Sequence, residues 1–367
     1  MNMDPCEISP SYVRSIAPYQ PGKPISELAR ELGLKEESIV KLASNENPRG
    51  IGPRTRAAIE GALGEIAPYP DGNGHELKTA LSRRYGVDMG CIVLGNGSND
   101  VLELVAHAFL GPGRAAVYAQ HCFAVYPLAT QARGARGIAV PAKDYGHDLD
   151  AMAAAIDDET YVVWIANPNN PTGTMLGSDA LEAFVKRVPE RVLVVIDEAY
   201  NEYLPPELKA ETVKWLRRHP NLIVTRTFSK AYGLAGMRVG YGVTSPEIAG
   251  YINRVRLPFN VPSVAQAAAL AALDDQAHVD RSVRVNVEGM AQLTDGLGRL
   301  GLRVFPSAAN FLLVGLGRDA APVYEALLRR GVIVRPLRPA GLLQHLRVSI
   351  GTAEENARAL AAFAEVV

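Results

Sequence analysis

Six short, β-rich apolar runs occupy the middle of the chain: CIVLG (91–95), AAVYA (115–119), YVVWIA (161–166), RVLVVID (191–197), LIVTRTF (222–228) and VGYGV (239–243). Most are continuously apolar and do not alternate, the pattern of strands buried on both faces of a mostly parallel sheet. Helical stretches such as residues 99–110 and 178–188 lie between them and supply the crossovers that parallel strands require. The predicted architecture is therefore an α/β sandwich.

After about Pro262 the texture changes. A long alanine-rich helical region runs to about Gly301, followed by LRVF, NFLLVGL, a helix ending at Gly331, VIVRP, LRVSI and a last helix from Thr352. Strands and helices at this spacing predict a smaller α+β domain. At the other end, Pro10, Pro18, Pro21 and Pro24 predict an irregular arm followed by a helix over 26–32. The predicted division is an arm (1–45) packing on the small domain or on a partner subunit, a large domain (46–262) and a small domain (263–367).

Composition narrows the function classes. Lys+Arg 38 against Asp+Glu 39 gives a net charge of -1, so no long-range field favours nucleic acid or an anionic membrane. Any anion must be held by locally placed donors. Cys6, Cys91 and Cys122 are too scattered for a disulfide framework or a zinc site, no C-x-x-C or H-E-x-x-H occurs, and no metal is expected. The first residues lack a signal-peptide core and no apolar stretch reaches membrane length, which predicts a soluble, cytoplasmic protein.

Ligand sites in open parallel sheets form beyond the carboxyl ends of the strands. Four segments follow such ends: GNGSND (95–100), NPNNPTG (167–173), DEAYNEY (197–203) and FSKAYGLAGMRVGY (228–241). In the first, glycines precede a helix start, where backbone N–H groups and the helix dipole can hold phosphate; taken singly, it also fits a turn capped by Ser98 or Asn99. Asp197 ends a buried run, where an unpaired carboxylate is costly, so it either faces a fixed cation or caps a helix. Without a Walker A sequence, nucleotide hydrolysis does not fit. Lys230 follows an apolar strand and could act as a desolvated amine nucleophile, although an isolated lysine usually lies at the surface. Together, a phosphate cradle, a buried acid, this lysine and Arg238 fit one cofactor bearing a phosphate, a basic ring nitrogen and an aldehyde.

These segments resemble the fold-type I pyridoxal-phosphate enzymes, and over essentially its full length the chain resembles the histidinol-phosphate aminotransferase family. NPNNPTG, DEAY and SKAYGLAGMRVGY occur in order with SNENP (44–48), YPDGNG (69–74) and LRVSIGT (346–352). The resemblance implies a large α/β/α domain with a mostly parallel sheet, a smaller α+β domain, pyridoxal 5'-phosphate as cofactor and a homodimer. It implies that Lys230 joins the cofactor aldehyde and then moves the reacting proton. Asp197 would keep the pyridine nitrogen protonated, each pKa unit being worth about 1.4 kcal/mol. Tyr200 and Asn170 would bind the ring oxygen, and Phe123, in QHCFAVY, would stack on the ring. Ser98, Asn99, Thr227, Ser229 and Arg238 would grip the phosphate, joined by Tyr69 from the neighbouring subunit.

Arg347 corresponds to the family's carboxylate-binding arginine, Arg335 to a second anion-binding arginine, and Tyr19 to a tyrosine at the substrate end; singly, each arginine also fits a surface ion pair. The implied reaction moves an amino group between glutamate and imidazole-acetol phosphate in histidine biosynthesis. The alternatives are the same chemistry on phenylalanine or tyrosine and, beyond transamination, threonine-phosphate decarboxylation. A cofactor-bound regulatory protein would be expected to have lost Lys230, Asp197 or Arg238, and all three are present. Two segments depart from the family pattern: His121-Cys122, where most relatives have Pro-Thr, and 337–345, where relatives have a glycine-rich linker. Neither His121 nor Cys122 is assigned a chemical role.

Overall fold

The computed structural model describes residues 8–367; Cys6 lies outside them. Strand β1 (Val40–Lys41) precedes the large sheet, which contains β2 (Ile92–Gly95), β3 (Ala115–Ala119), β4 (Arg136–Val140), β5 (Thr160–Ala166), β6 (Leu193–Asp197), β7 (Leu222–Thr227) and β8 (Gly240–Thr244). Their order is β2-β8-β7-β6-β5-β3-β4, and only β8 runs against its neighbours. The continuous apolar runs have a direct explanation. In β6, Val194 and Ile196 enter the core on one face of the sheet, whereas Leu193 and Val195 enter the core on the other. β5 divides in the same way, Val163 and Ile165 against Val162 and Trp164. Both faces exclude water, so neither can carry polar residues.

Four further strands, β9 (Arg303–Phe305), β10 (Phe311–Gly315), β12 (Arg335–Leu337) and β13 (Leu342–Ser349), form an antiparallel sheet in the order β12-β13-β10-β9. Its core joins Leu312, Val314, Leu346 and Val348 to Leu293 and Leu297 of the helix Gln276–Arg299 and Phe363 of the helix Ala353–Ala364. The last helix is set by a capping box, in which Thr352 and Glu355 satisfy each other's backbone N–H groups. Gly331, at φ 71°, ends the helix Ala320–Arg329, where a side chain would strain the left-handed backbone.

Three local features differ from the sequence reading. The alanine-rich region is two helices, Ser263–Leu273 and Gln276–Arg299, because Asp275 caps the second. β4 is an additional edge strand, and its outward residues are largely exposed, so it lacks the continuous apolar signature. The VIVRP run serves two sheets: β11 (Val332–Ile333) pairs in parallel with β1, and β12 turns into the four-stranded sheet. The pairing of β1 with β11 draws the segment that follows, residues 42–47, across the face of the molecule toward the carboxyl edge of the large sheet.

The layer of helices on the large sheet is a sensitive part of this core. Phe184, on the helix Ser178–Arg187, is fully buried against β5 and β6 residues. Phe184→Ala is expected to cost about 3–5 kcal/mol, because the vacated space cannot fully collapse; guanidinium unfolding monitored by circular dichroism measures it.

Candidate active site

The carboxyl ends of β5, β6 and β7 lie side by side and gather the polar segments that follow them. Asp197 is the last residue of β6 and only 5% exposed. Tyr126 donates its hydroxyl proton to Oδ2 at 2.9 Å, and Thr225 of β7 donates to Oδ1 at 3.1 Å. No helix begins at Asp197, which rules out a capping role; the short turn that follows is Asn201–Tyr203. Burial pushes the carboxyl up to about 6, and the two hydroxyl donors oppose that rise.

Lys230 lies two residues beyond the sheet-edge Phe228, where its Nζ donates to the carbonyl of Ser44 at 3.3 Å and sits 5.8 Å from the Tyr200 ring centroid. It is not a surface lysine. Desolvation, reinforced by the positive charge of Arg347, lowers its pKa to about 8, so a substantial neutral fraction exists near physiological pH. Tyr200 is buried, and its hydroxyl accepts a hydrogen bond from Asn45 Nδ2 at 3.0 Å. The amide nitrogen can only donate, and Asn45 Oδ1 is taken by the Ser349 hydroxyl, so the Tyr200 proton is free to bond toward the cavity.

Beside these groups is an anion cradle. The helix Ser98–Phe109 starts after Gly97, which has φ 84° and supplies no side-chain cap; neither Ser98 nor Asn99 is the capping residue, so the first N–H groups stay open. A Cβ on Gly97 would strike the Arg238 guanidinium, and one on Gly240 would strike the backbone N of Ser98. Both glycines are required by close approach. Arg238 bonds to Ser229 Oγ at 3.4 Å and to the carbonyl of Asn96 at 3.4 Å, and Thr227 Oγ1 bonds to Ser229 Oγ at 3.0 Å. Two hydroxyls, a guanidinium and a helix start thus converge, and the one carboxylate of the first turn, Asp100, is bonded to the backbone N–H of Asn96 and to Asn260 Nδ2, both at 2.8 Å.

A second anion site is built on the small sheet. Arg335 of β12 and Arg347 of β13 are direct cross-strand partners. Like charges placed opposite each other destabilise a sheet unless an anion lies between them. Arg347 is 8% exposed, and it donates to Asn170 Oδ1 at 2.6 Å and to the carbonyl of Ala43 at 2.7 Å, leaving Nε buried without a partner. Burial, with Arg335 adding repulsion, lowers its pKa to about 10. Arg335 donates to the carbonyl of Gln20 at 2.6 Å and stacks 5.3 Å from the ring centroid of Tyr19, which remains 53% exposed. Among the described residues, neither arginine forms an ion pair.

Phe123 meets Tyr126 edge-on at 5.8 Å. Tyr69 stands apart: it is 81% exposed and stacks on Phe259 at 4.6 Å, away from the other residues of the cluster. The two unusual segments meet each other, since the His121 ring bonds to the carbonyl of Ala340 at 2.8 Å, and Cys122 is packed in the core. Asn45 and Tyr126 carry contacts that no sequence signal assigned to them, although both lie within SNENP and QHCFAVY. Among the described residues, no group of acidic, histidine or cysteine side chains could hold a metal ion.

The family model for aminotransferase class I and II matches residues 37–363, and the chain belongs to that class. It is 60% identical over 359 residues to histidinol-phosphate aminotransferase 1 of Thiobacillus denitrificans, covering 98% of this chain and 93% of the relative. It is 56% identical over 362 residues to histidinol-phosphate aminotransferase 2 of Nitrosospira multiformis, covering 99% and 92%. Within the class, therefore, the chain belongs to the histidinol-phosphate aminotransferase family. Among solved structures it is similar to the histidinol-phosphate aminotransferase of Sinorhizobium meliloti in complex with pyridoxal-5'-phosphate, with TM-score 0.89, 31% identity and coverage of 97% and 96%. It is also similar to an aspartate aminotransferase single mutant of Thermus thermophilus, with TM-score 0.86, 25% identity and coverage of 98% and 99%. The fold is that of the fold-type I aminotransferases.

The lowered pKa of Lys230 sets a pH dependence. Below about 8 the amine is protonated and unreactive, and above it the neutral form dominates. In the cofactor-free chain, labelling of Lys230 by an amine-selective reagent should rise with a midpoint near pH 8, well before the exposed lysines respond. Peptide mass spectrometry across pH 6–11 reads this, and a midpoint near 10.5 would contradict the desolvated site.

Proposed function

We propose that the chain is a pyridoxal 5'-phosphate-dependent aminotransferase that moves an amino group between glutamate and imidazole-acetol phosphate, forming histidinol phosphate and 2-oxoglutarate in histidine biosynthesis. The observation that carries this reading is a lysine of lowered pKa within electrostatic range of both Arg238 of the anion cradle and Arg347 of the facing arginine pair.

The residues present fit the cofactor. The cradle at Gly97 and Gly240 is closed to any Cβ and lined by donors, as a phosphate needs, and a buried acid with two fixed hydroxyl donors suits a cationic ring nitrogen. When bound, pyridoxal 5'-phosphate supplies an aldehyde that takes up the amino group and a cationic ring that accepts electrons from the deprotonated carbon. Ser98, Asn99, Thr227, Ser229 and Arg238 hold the phosphate. Asp197 holds the proton on the ring nitrogen, Tyr200 and Asn170 orient the ring oxygen, and Phe123 covers one ring face.

Lys230 would hold the cofactor through its aldehyde. Once the incoming amine releases it, its Nζ takes the proton from the carbon bearing the amino group and returns it on the other side, a task suited to an amine that titrates near the working pH. Arg347 and Arg335, with Tyr19 at the open side, bind the anionic end of either substrate. Histidinol phosphate lacks a carboxylate, so its phosphate and the α-carboxylate of glutamate take turns at one site. Three parts of this reading rest on the family pattern. They are a cofactor-holding unit over 46–262 with a smaller unit over 263–367, a cytoplasmic homodimer, and Tyr69 reaching the phosphate of a second copy of the chain; the exposure of Tyr69 supports the last.

Half-reactions test the reading. The pyridoxal form of the protein is mixed separately with histidinol phosphate, glutamate, phenylalanine, tyrosine and threonine phosphate, and conversion to the pyridoxamine form is followed by absorbance. Histidinol phosphate and glutamate should convert fastest. Faster conversion by phenylalanine or tyrosine, or CO₂ release from threonine phosphate, would overturn the substrate assignment. Arg347→Ala should weaken glutamate and histidinol phosphate alike, by about 10- to 150-fold for a charge-assisted contact. Loss for only one of them would refute the shared anion site.

A further inference from the structure

We propose that Tyr126 is a positioning residue of the active site, whose hydroxyl holds the Asp197 carboxylate in its anionic form and in one orientation before the cofactor arrives. This rests on the reading that Asp197 faces the cofactor's ring nitrogen, and it adds a residue and a role that neither the family motifs nor the apolar pattern assigns.

The geometry is specific. Tyr126 is fully buried, and its hydroxyl is 2.9 Å from Asp197 Oδ2. It is the second residue of the helix Val125–Ala132, and two aromatic contacts fix its ring. Trp164 of β5 stacks on one side, with centroids 5.4 Å apart and planes inclined by 4°, and Phe123 abuts edge-on at 90°. The Trp164 indole in turn donates to Thr130 Oγ1, one turn further along the same helix, at 3.3 Å. A ring held in this way can deliver its hydroxyl to only one place. The same column ends at Phe123, so one side chain braces both the residue proposed to cover the cofactor ring and the acid proposed to pair with it.

The direction of the bond follows from chemistry. Burial raises the Tyr126 phenol well above its ordinary range, and the adjacent Asp197 charge adds to the rise, so the proton stays on oxygen. An ionised carboxylate is an acceptor only, with room for about four bonds. Tyr126 takes one position on Oδ2 and Thr225 takes one on Oδ1, leaving the remaining lone pairs for a cationic N–H from the cavity side. The other groups facing Asp197 do not replace these donors. The backbone N–H of Ala199 adds one bond, and Lys230 adds a favourable charge. Glu198 is repulsive but is itself committed to Arg226, at 2.6 Å, and to Thr212, at 2.7 Å, while the Tyr200 hydroxyl accepts from Asn45 and makes no hydrogen bond to Asp197. Without Tyr126, the desolvated acid would retain a proton over more of the neutral range and could not pair with a protonated ring nitrogen.

The test uses the full chain with and without cofactor. The infrared carbonyl band of protonated Asp197, assigned by its absence in Asp197→Asn, is titrated in the cofactor-free protein. In Tyr126→Phe its midpoint should rise by about one to two pH units, the effect of losing a hydrogen bond to a charged group. The dissociation constant of pyridoxal 5'-phosphate at pH 7 should rise about tenfold or more, with the gap closing toward pH 9 as the acid ionises in both proteins. An unmoved midpoint in a Tyr126→Phe protein with native circular dichroism overturns the proposal. Should that variant fail to fold, 3-fluorotyrosine at position 126 keeps the shape and strengthens the donor; the midpoint should then fall, and no change overturns the proposal. Failure of the broader reading looks different: the unmodified protein would not bind the cofactor, or Asp197→Asn would bind it as tightly.

Discussion

A carboxylate buried at the end of a central strand is the constraint around which this active site is arranged. Asp197 gains nothing from its position in stability terms, because burial pushes it toward the neutral form, and the fold offsets this with hydroxyl donors from two different elements. Strand order explains how. β6 lies between β5, whose Trp164 stacks on Tyr126, and β7, whose Thr225 stands directly beside Asp197. The same adjacency brings Lys230, at the exit of β7, into electrostatic range of the acid.

The site is also a compromise between charges. Lys230 and Arg347 both carry lowered pKa values, each through desolvation and each made worse by a cationic neighbour. Arg335 and Arg347 face each other across two strands without an acidic partner among the described residues, and at the helix start beside Arg238 the one first-turn carboxylate, Asp100, is taken up by Asn96 and Asn260. With a net charge of only -1 in the whole chain, this surplus of positive groups is local. Stability would favour neutralising them; sites for anionic ligands retain such strain.

Much of this was legible in the primary structure. Residues buried on both faces must be apolar, so the strands announced themselves, and Asp197 and Lys230 were conspicuous because each follows such a run. β4 was not visible because an exposed edge strand does not need that pattern. The division of VIVRP between two sheets depends on β1, far away in the chain. The roles of Asn45 and Tyr126 were hidden for the same reason. Their partners, Tyr200 and Asp197, are separated from them by 155 and 71 positions, and no local rule of spacing encodes a contact at that distance. The one signal available for each was its place inside a motif, Asn45 in SNENP and Tyr126 in QHCFAVY, three residues beyond Phe123.

The segment after β1 has one more implication. Ser44 touches Lys230, Asn45 touches Tyr200 and Ser349, and Ala43 touches Arg347. This stretch is held in place by β11 and β13, which leave the ribosome well after the strands of the large sheet. During synthesis the large sheet can condense long before its earliest residues have anything to pair with. Catalytic competence therefore waits until residues 43–45 meet partners such as Ser349, 304 positions after Asn45.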